Sequence, residues 1–466
     1  MQLQNIHNAV RTPQLLEPAE NAMLIAVWAD TYPYLNTSSM DTPSAINART
    51  GRNWPIFHMS QNIPTFSPTS NYPNIETRIN DSVIVNTITD AGLLLDVFPM
   101  QQPGLSYSII TQDDVNALAH QCADLNKRGV KVWLRLASEM NGNWYSYAQQ
   151  PVSFTNLWKQ VTNAVRAVTN GTAMMWSPQI LPNGQYSLNP TATGPIDSVN
   201  FKALDTNGDG QINSRDDPYT PYWPGEAFVD WIGTSIYYHG PHLAPDSSLF
   251  GINTIPPSDY FESYMRTERF PFYTFAENAG KPVSMAEWGI PYYISLTPSE
   301  PGGKPTPIDP GPGQLAMKRA WWSSSLTNKT LLNRYPLIKM FGLFEIIKEE
   351  TGSLRDFQFL NRTTDSGTIL STFLADIASA EAAGVKYVFA SSTRPATAPS
   401  ASTTAGATPN QSAASEGCSV KRPFRFYRIR GNGDSGNPRM ANGNVWTTLF
   451  NYLPALVLLS QLLHCF

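Results

Sequence analysis

Eight short apolar runs, separated by stretches of helical or loop character, set the strongest limit on what this chain can fold into. They read MLIAVWAD, WPIFHMS, LLLDVFPM, VKVWLRLASE, AMMWSPQ, VDWIGTSIYY, KPVSMAEWG and LIKMFGLFEI. Most are apolar at nearly every position instead of every second one, so each strand is expected to be covered on both faces. Strands of that kind, alternating with helices, build a parallel sheet. Ahead of the fourth run, TQDDVNALAHQCADLNKRG carries the end signals of a helix, with Thr111 as N-cap and Gly129 as stop. Eight strand-helix units over residues 21–392 fit an α/β fold, a (β/α)8 TIM barrel with insertions. An open doubly wound sheet would carry a glycine-rich turn after its first strand, and VWADTYPYL has none.

Composition places the domain boundary. Residues 393–440 open in a tract that is nearly all Ser, Thr, Ala and Pro, which buries too little apolar area to offset the ordering of its backbone. We expect a disordered, glycosylated linker there, with the basic stretch KRPFRFYRIR inside it. Residues 441–466 form a hydrophobic tail behind the small residues of GNGDSGN, an order similar to a glycosylphosphatidylinositol-anchor signal. Asn451, Pro454 and Gln461 make that tail a poor membrane span. Asn-x-Ser/Thr triplets at Asn36, Asn80, Asn170, Asn328, Asn361 and Asn410 point to an extracellular or cell-surface glycoprotein. The first twenty residues lack the basic start and apolar run of a secretory leader, which a truncated amino terminus would explain. Cys122, Cys418 and Cys465 are too scattered for a disulfide framework. A net charge of -4 with only 15 % charged residues provides no basic stripe, so nucleic acid is excluded as a partner.

In a barrel of this kind the active site lies at the carboxyl ends of the strands. Glu139 closes the fourth run and Glu287 the seventh; Glu345, closing the eighth, is a weaker candidate. Two such carboxyls suffice to hydrolyse a glycosidic bond, one giving a proton to the leaving oxygen and the other meeting the cationic carbon. No cofactor is needed for that chemistry. The two groups must differ in pKa, which burial beside rings and a nearby cation can arrange. Trp144 and Tyr145 follow Glu139, Trp288 follows Glu287, and Arg135 lies four residues before Glu139, on the same side if the strand continues.

RLASEMNGNWYSY resembles the R-x-x-H-E-M-N-G-x-W motif of glycoside hydrolase family 26, the β-mannanase family, and MAEWG resembles its second glutamate motif. DWIGTSIYYHG and WSPQ are similar to its sixth and fifth strand ends, and fungal secreted members look most alike. The resemblance, over residues 21–392, implies a retaining endo-glycosidase acting on β-mannan or a related β-glucan as a monomer. By motif, Glu139 would be the proton donor and Glu287 the nucleophile. Tyr237 would hydrogen-bond the nucleophile, and Arg135, Ser138, Asn141, Trp144, Trp176 and Trp288 would bind substrate. Two positions depart from the pattern: Ser138 stands where the family has His, and Gln179 where it has Asn. Both fall near the expected sugar-binding region, so the choice of polysaccharide stays open. A catalytically silent carbohydrate-binding or cell-wall protein on the same barrel is the alternative.

One further string stands out. DTNGDGQINSRD offers Asp205, Asn207, Asp209, Gln211 and Asn213 at the ligand positions of a calcium loop, Gly210 at its sharp turn and Asp216 at its end. A structural calcium is expected there, stiffening the insertion between the fifth and sixth strands. The rival is an Asp/Asn/Gly-rich turn that binds nothing.

Overall fold

The computed structural model describes residues 11–29, 41–64, 82–99, 107–181, 184–188, 198–241, 251–267, 269–298, 302–350, 352–361 and 367–392. The chain divides into two units, of which the second, residues 398–458, lies wholly outside the described residues. So do the expected linker and hydrophobic tail, and the sequons at Asn36, Asn80 and Asn410.

The first unit is a closed barrel. Its first seven strands are β1 (Ala22–Ala29), β2 (Ile56–Asn62), β3 (Gly92–Phe98), β4 (Val132–Leu136), β5 (Thr172–Trp176), β6 (Trp231–Tyr237) and β7 (Val283–Gly289). After β8 (Tyr292–Leu296) and β9 (Thr306–Pro307), which stand apart, β10 (Ile338–Glu345) supplies the eighth staff. Every neighbouring pair is parallel, and β10 returns to β1 in register from Leu24↔Met340 to Ala29↔Glu345, which closes the ring. The eight strands coincide with the eight apolar runs. The helix Gln112–Lys127 starts at Thr111 in a capping box with Asp114, and Gly129 beyond it has φ +76°.

Near-continuous apolarity has a direct cause in this architecture. Alternate residues of each strand point inward and outward. Outward residues such as Val27, Leu95, Leu134, Trp176 and Trp288 pack under the helices, while Leu24, Ile56, Leu94, Trp133, Met175, Trp231 and Met340 fill the interior. Trp133 and Trp231 meet edge to face inside, with centroids 6.3 Å apart, and the Trp231 indole donates to the Leu15 carbonyl at 2.8 Å. The interior also demands glycine: a Cβ on Gly342 would lie 1.9 Å from the Ala286 carbonyl oxygen.

A second, antiparallel sheet follows the barrel mouth in the order β11 (Ile347–Glu350), β12 (Ser353–Asp356), β8, β9. A last short strand, β13 (Lys386–Tyr387), pairs with the start of β1. Among the described residues no helix is long and apolar enough to cross a membrane.

Candidate active site

The carboxyl ends of the strands carry a polar cluster centred on Arg135, which sits near the end of β4, points into the barrel and is fully buried. Its Nη1 donates to Asp96 Oδ2 at 2.7 Å and to Glu287 Oε1; its Nη2 donates to Ser235 Oγ and its Nε to Ser177 Oγ, both at 2.9 Å. Strands β3, β4, β6 and β7 and the end of β5 are thus tied through one guanidinium. Burial opposes a charge on Arg135, but Asp96 and Glu287 overcome that and hold its pKa above the ordinary value. Burial pushes Asp96 up, and Arg135 with His58 more than offsets it, keeping that carboxyl below its usual range. His58 Nε2 lies 3.1 Å from Asp96 Oδ1, and its ring meets Trp28 at 4.0 Å between centroids.

Glu287 is held from its other side as well. The Tyr237 hydroxyl donates to Glu287 Oε2 at 2.8 Å. Burial and the neighbouring Glu287 drive the Tyr237 pKa well above its usual value, so the phenol stays a donor.

Glu139 is presented differently. β4 ends at Leu136, and Ala137 and Glu139 then adopt left-handed backbone, φ +48° and +55°. Non-glycine residues in that region are uncommon and persist where the surroundings over-determine them. Here the Glu139 N–H donates to the Ser177 carbonyl at 2.8 Å and the Gly142 N–H to the Glu139 carbonyl at 2.9 Å. The strand therefore does not continue to Glu139, and the turn, not strand periodicity, sets where its carboxyl lies. The Trp144 indole donates to Glu139 Oε2 at 2.9 Å. A Cβ on Gly142 would come within 2.5 Å of the Trp144 ring, so the glycine lets the indole fold back onto the acid. Burial first and the charge of Glu287 second push the Glu139 carboxyl up to about 7, against the opposing pull of Arg135.

Of the other expected site residues, Tyr237 and Trp144 reach the two glutamates, but three do not reach the mouth. Asn141 is fully buried and spends its side chain on scaffolding: Nδ2 donates to the Gln179 and Pro218 carbonyls at 2.9 and 3.2 Å, and Oδ1 accepts from the Gln179 N–H at 2.7 Å. Trp176 faces outward from β5, its ring stacked on Phe275 at 5.4 Å and its Nε1 donating to the Tyr222 carbonyl at 2.9 Å. Trp288 faces outward from β7 between Trp321 and Phe359. Both tryptophans have no exposed surface; strand alternation sends them under the helices, away from the end where substrate would lie. Ser138 is buried, its carbonyl accepting from Tyr147 Oη at 2.7 Å while its hydroxyl has no hydrogen-bond partner among the described residues. Glu345 also leaves the cluster: its two oxygens accept the Phe359 and Leu360 N–H groups at 2.8 Å each. Burial pushes its pKa up to about 7, and it anchors a loop.

Sequence reasoning missed Asp96, His58, Ser177 and Ser235. A signal was present, since LLLDVF, PIFHMS, IGTSIYY and WSPQ place polar groups in or at the end of strands otherwise bound for burial. A buried polar residue needs a partner, and in a barrel its partners are inward residues of neighbouring strands.

The 205–216 loop is organised by its own acids. Asp205 accepts the N–H groups of Asp209 and Gly210 at 3.0 and 2.9 Å, and Asn207 accepts that of Asp209 at 2.9 Å. Asp209 accepts the Gln211 N–H at 2.9 Å and pairs with Arg215 at 2.8 Å. Asp216 is fully buried and accepts the Thr206 and Asn213 N–H groups at 2.9 Å. Among the described residues no group of three or more His, Cys, Asp or Glu is placed to hold a metal ion. A separate open cavity of about 880 Å³, lined by Tyr292, Gln314, Arg319 and their neighbours, has no carboxylate in its lining.

No family model matches the sequence, and no curated protein matches it. Among solved structures, it is similar to a modular endo-β-1,4-mannanase from Cellulomonas fimi at 14% identity, covering 79% of this chain and 72% of that one with a TM-score of 0.46. It is likewise similar to a β-mannanase from Bacteroides ovatus at 12% identity, covering 79% and 90% with a TM-score of 0.46. The solved structures that this chain resembles thus include β-mannanases of glycoside hydrolase family 26.

Proposed function

We propose that the chain is a retaining endo-glycosidase that cleaves a β-linked polysaccharide of the mannan or glucan type, a glycoside hydrolase of the family 26 kind. One observation carries this reading. Two glutamates stand at the barrel mouth in different surroundings: Glu139 is pushed up to about 7 by burial and the charge of Glu287, while Glu287 accepts hydrogen bonds from Arg135 and Tyr237. A carboxyl raised in this way is suited to the acid role beside a carboxylate held by donors.

In the first step the Glu139 carboxylic acid gives its proton to the glycosidic oxygen as the bond to the anomeric carbon breaks. Glu287 bonds to that carbon, forming a glycosyl ester, and the shortened chain leaves as an alcohol. Water then adds to the anomeric carbon, its proton passing to the Glu139 carboxylate while the ester bond breaks and Glu287 is restored. Arg135 and Tyr237 orient the nucleophile in both steps, and Trp144 holds the acid. This route calls for carboxyl groups about 5 to 5.5 Å apart.

The test is a panel of β-mannans, β-glucans and xylans assayed for new reducing ends, with the anomer of the first product read by NMR. Release from one or more, with the β-anomer formed first, is expected. No release from any would leave the catalytically silent binding protein as the better reading. A structural calcium in the 205–216 loop is a separate proposal, supported by the spacing of its oxygen-bearing side chains.

A further inference from the structure

The hairpin β11–β12 leaves the barrel directly after β10 and carries a charge arrangement that bond cleavage does not use. Lys348 and Arg355 are direct cross-strand partners. Like charges opposite one another destabilise an antiparallel pair. One carboxylate lies between them: Glu350 is 3.2 Å from Lys348 Nζ through Oε1 and accepts from Arg355 Nη1 at 2.8 Å through Oε2. The Lys348 side chain keeps 13 % of its surface exposed, so it is largely desolvated yet reachable.

This cation borders the nucleophile's side of the mouth. Lys348 Nζ lies 5.1 Å from the Phe344 ring centroid and 5.8 Å from that of Phe357. Both rings meet Tyr237 edge-on, at 5.5 and 5.6 Å, and the Tyr237 hydroxyl holds Glu287. His239 lies 5.4 Å from Tyr237, and its Nδ1 is buried without a hydrogen-bond partner among the described residues. Burial first, then Arg355, lowers His239 to about 3, so the imidazole is neutral and leaves the charge to the lysine. A cation that shares the Glu350 carboxylate with a second cation thus stands one aromatic layer from Tyr237.

We propose that Lys348 forms a subsite for a carboxylate-bearing sugar, so that the polysaccharide cut between Glu139 and Glu287 carries uronate residues on the Tyr237 side of the scissile bond. The proposal rests on the hydrolase reading and narrows its substrate. A neutral sugar gives Lys348 no charge to pair with, whereas a carboxylate forms a charge-assisted hydrogen bond in a place where salt screens weakly.

Binding is measured by calorimetric titration in Glu139→Gln protein, which limits turnover of the ligand. The probes are β-1,4-mannotetraose and β-1,4-glucotetraose, each neutral and singly oxidised to the uronate at C6. The oxidised form of at least one is expected to bind about tenfold tighter than its neutral parent, the size of one hydrogen bond to a charged group. Lys348→Met, which keeps the alkyl packing on Phe344, is expected to bring that ratio close to one, and Lys348→Arg to preserve it. A ratio of one in the parent protein, a ratio untouched by Lys348→Met, or no binding of any probe overturns the proposal. The hydrolase reading fails on a different result: a retained preference for the uronate with no new reducing ends from any polymer, oxidised or neutral, incubated with the unmutated chain.

Discussion

Glu139 and Glu287 differ in what touches their oxygens, an indole N–H on the first and a guanidinium with a phenol on the second. The raised Glu139 pKa, about 7, keeps a proton available through the mildly acidic range. Activity is therefore expected to fall as pH rises through about 7, because the donor form is lost there. Glu139→Gln should abolish that alkaline limb. The same substitution should slow hydrolysis of poor leaving groups by about 10²- to 10⁴-fold, the worth of general-acid help, and spare activated aryl glycosides. Parallel kcat/KM profiles against pH for a polymer and an aryl glycoside check both outcomes; equal losses on the two substrates would move the acid elsewhere.

The loop elements decide whether those side chains arrive at all. The turn after β4 has two left-handed non-glycine residues, and Asn141 fixes it through two hydrogen bonds to Gln179, just after β5, and one to Pro218 further along the β5–β6 connection. Removing the amide leaves buried backbone groups unpaired, at about 1 to 3 kcal/mol each. Asn141→Ala is expected to lower the unfolding free energy by a few kcal/mol, read as a lower denaturant midpoint at unchanged m, and to reduce kcat more than substrate affinity, since it misplaces Glu139 without touching sugar. The 205–216 loop calls for its own measurement. If calcium binds there, a chelator should lower the melting temperature and added calcium restore it, by linkage between binding and folding; a melting temperature indifferent to both would leave a turn held by its own Asp and Asn side chains.

At the scale of the molecule, two buried glutamates titrate upward together, Glu139 and Glu345, each pushed from 4.5 to about 7. The native state then keeps protons that the unfolded chain releases above about 4.5, so stability falls as pH rises from there through about 7. Chemical denaturation at pH 5 and pH 8 should show the loss, and Glu139→Gln should make it smaller. The barrel itself was legible in the chain: eight runs apolar on both faces admit few architectures, and backbone alternation together with two buried layers accounts for each of them. The glutamates were legible too, because carboxylates are rare in such runs. Alternation, however, also hid Trp176 and Trp288 under the helices, where their adjacency to site motifs had suggested a role. Asp96, His58, Ser177 and Ser235 come from four different strands or strand ends and meet only when the ring closes around Arg135. Local sequence determines which way a strand residue points. Which residues share the barrel's interior, and hence the pKa of each carboxyl, is decided by neighbours a hundred residues away, and only the tertiary structure brings them within reach.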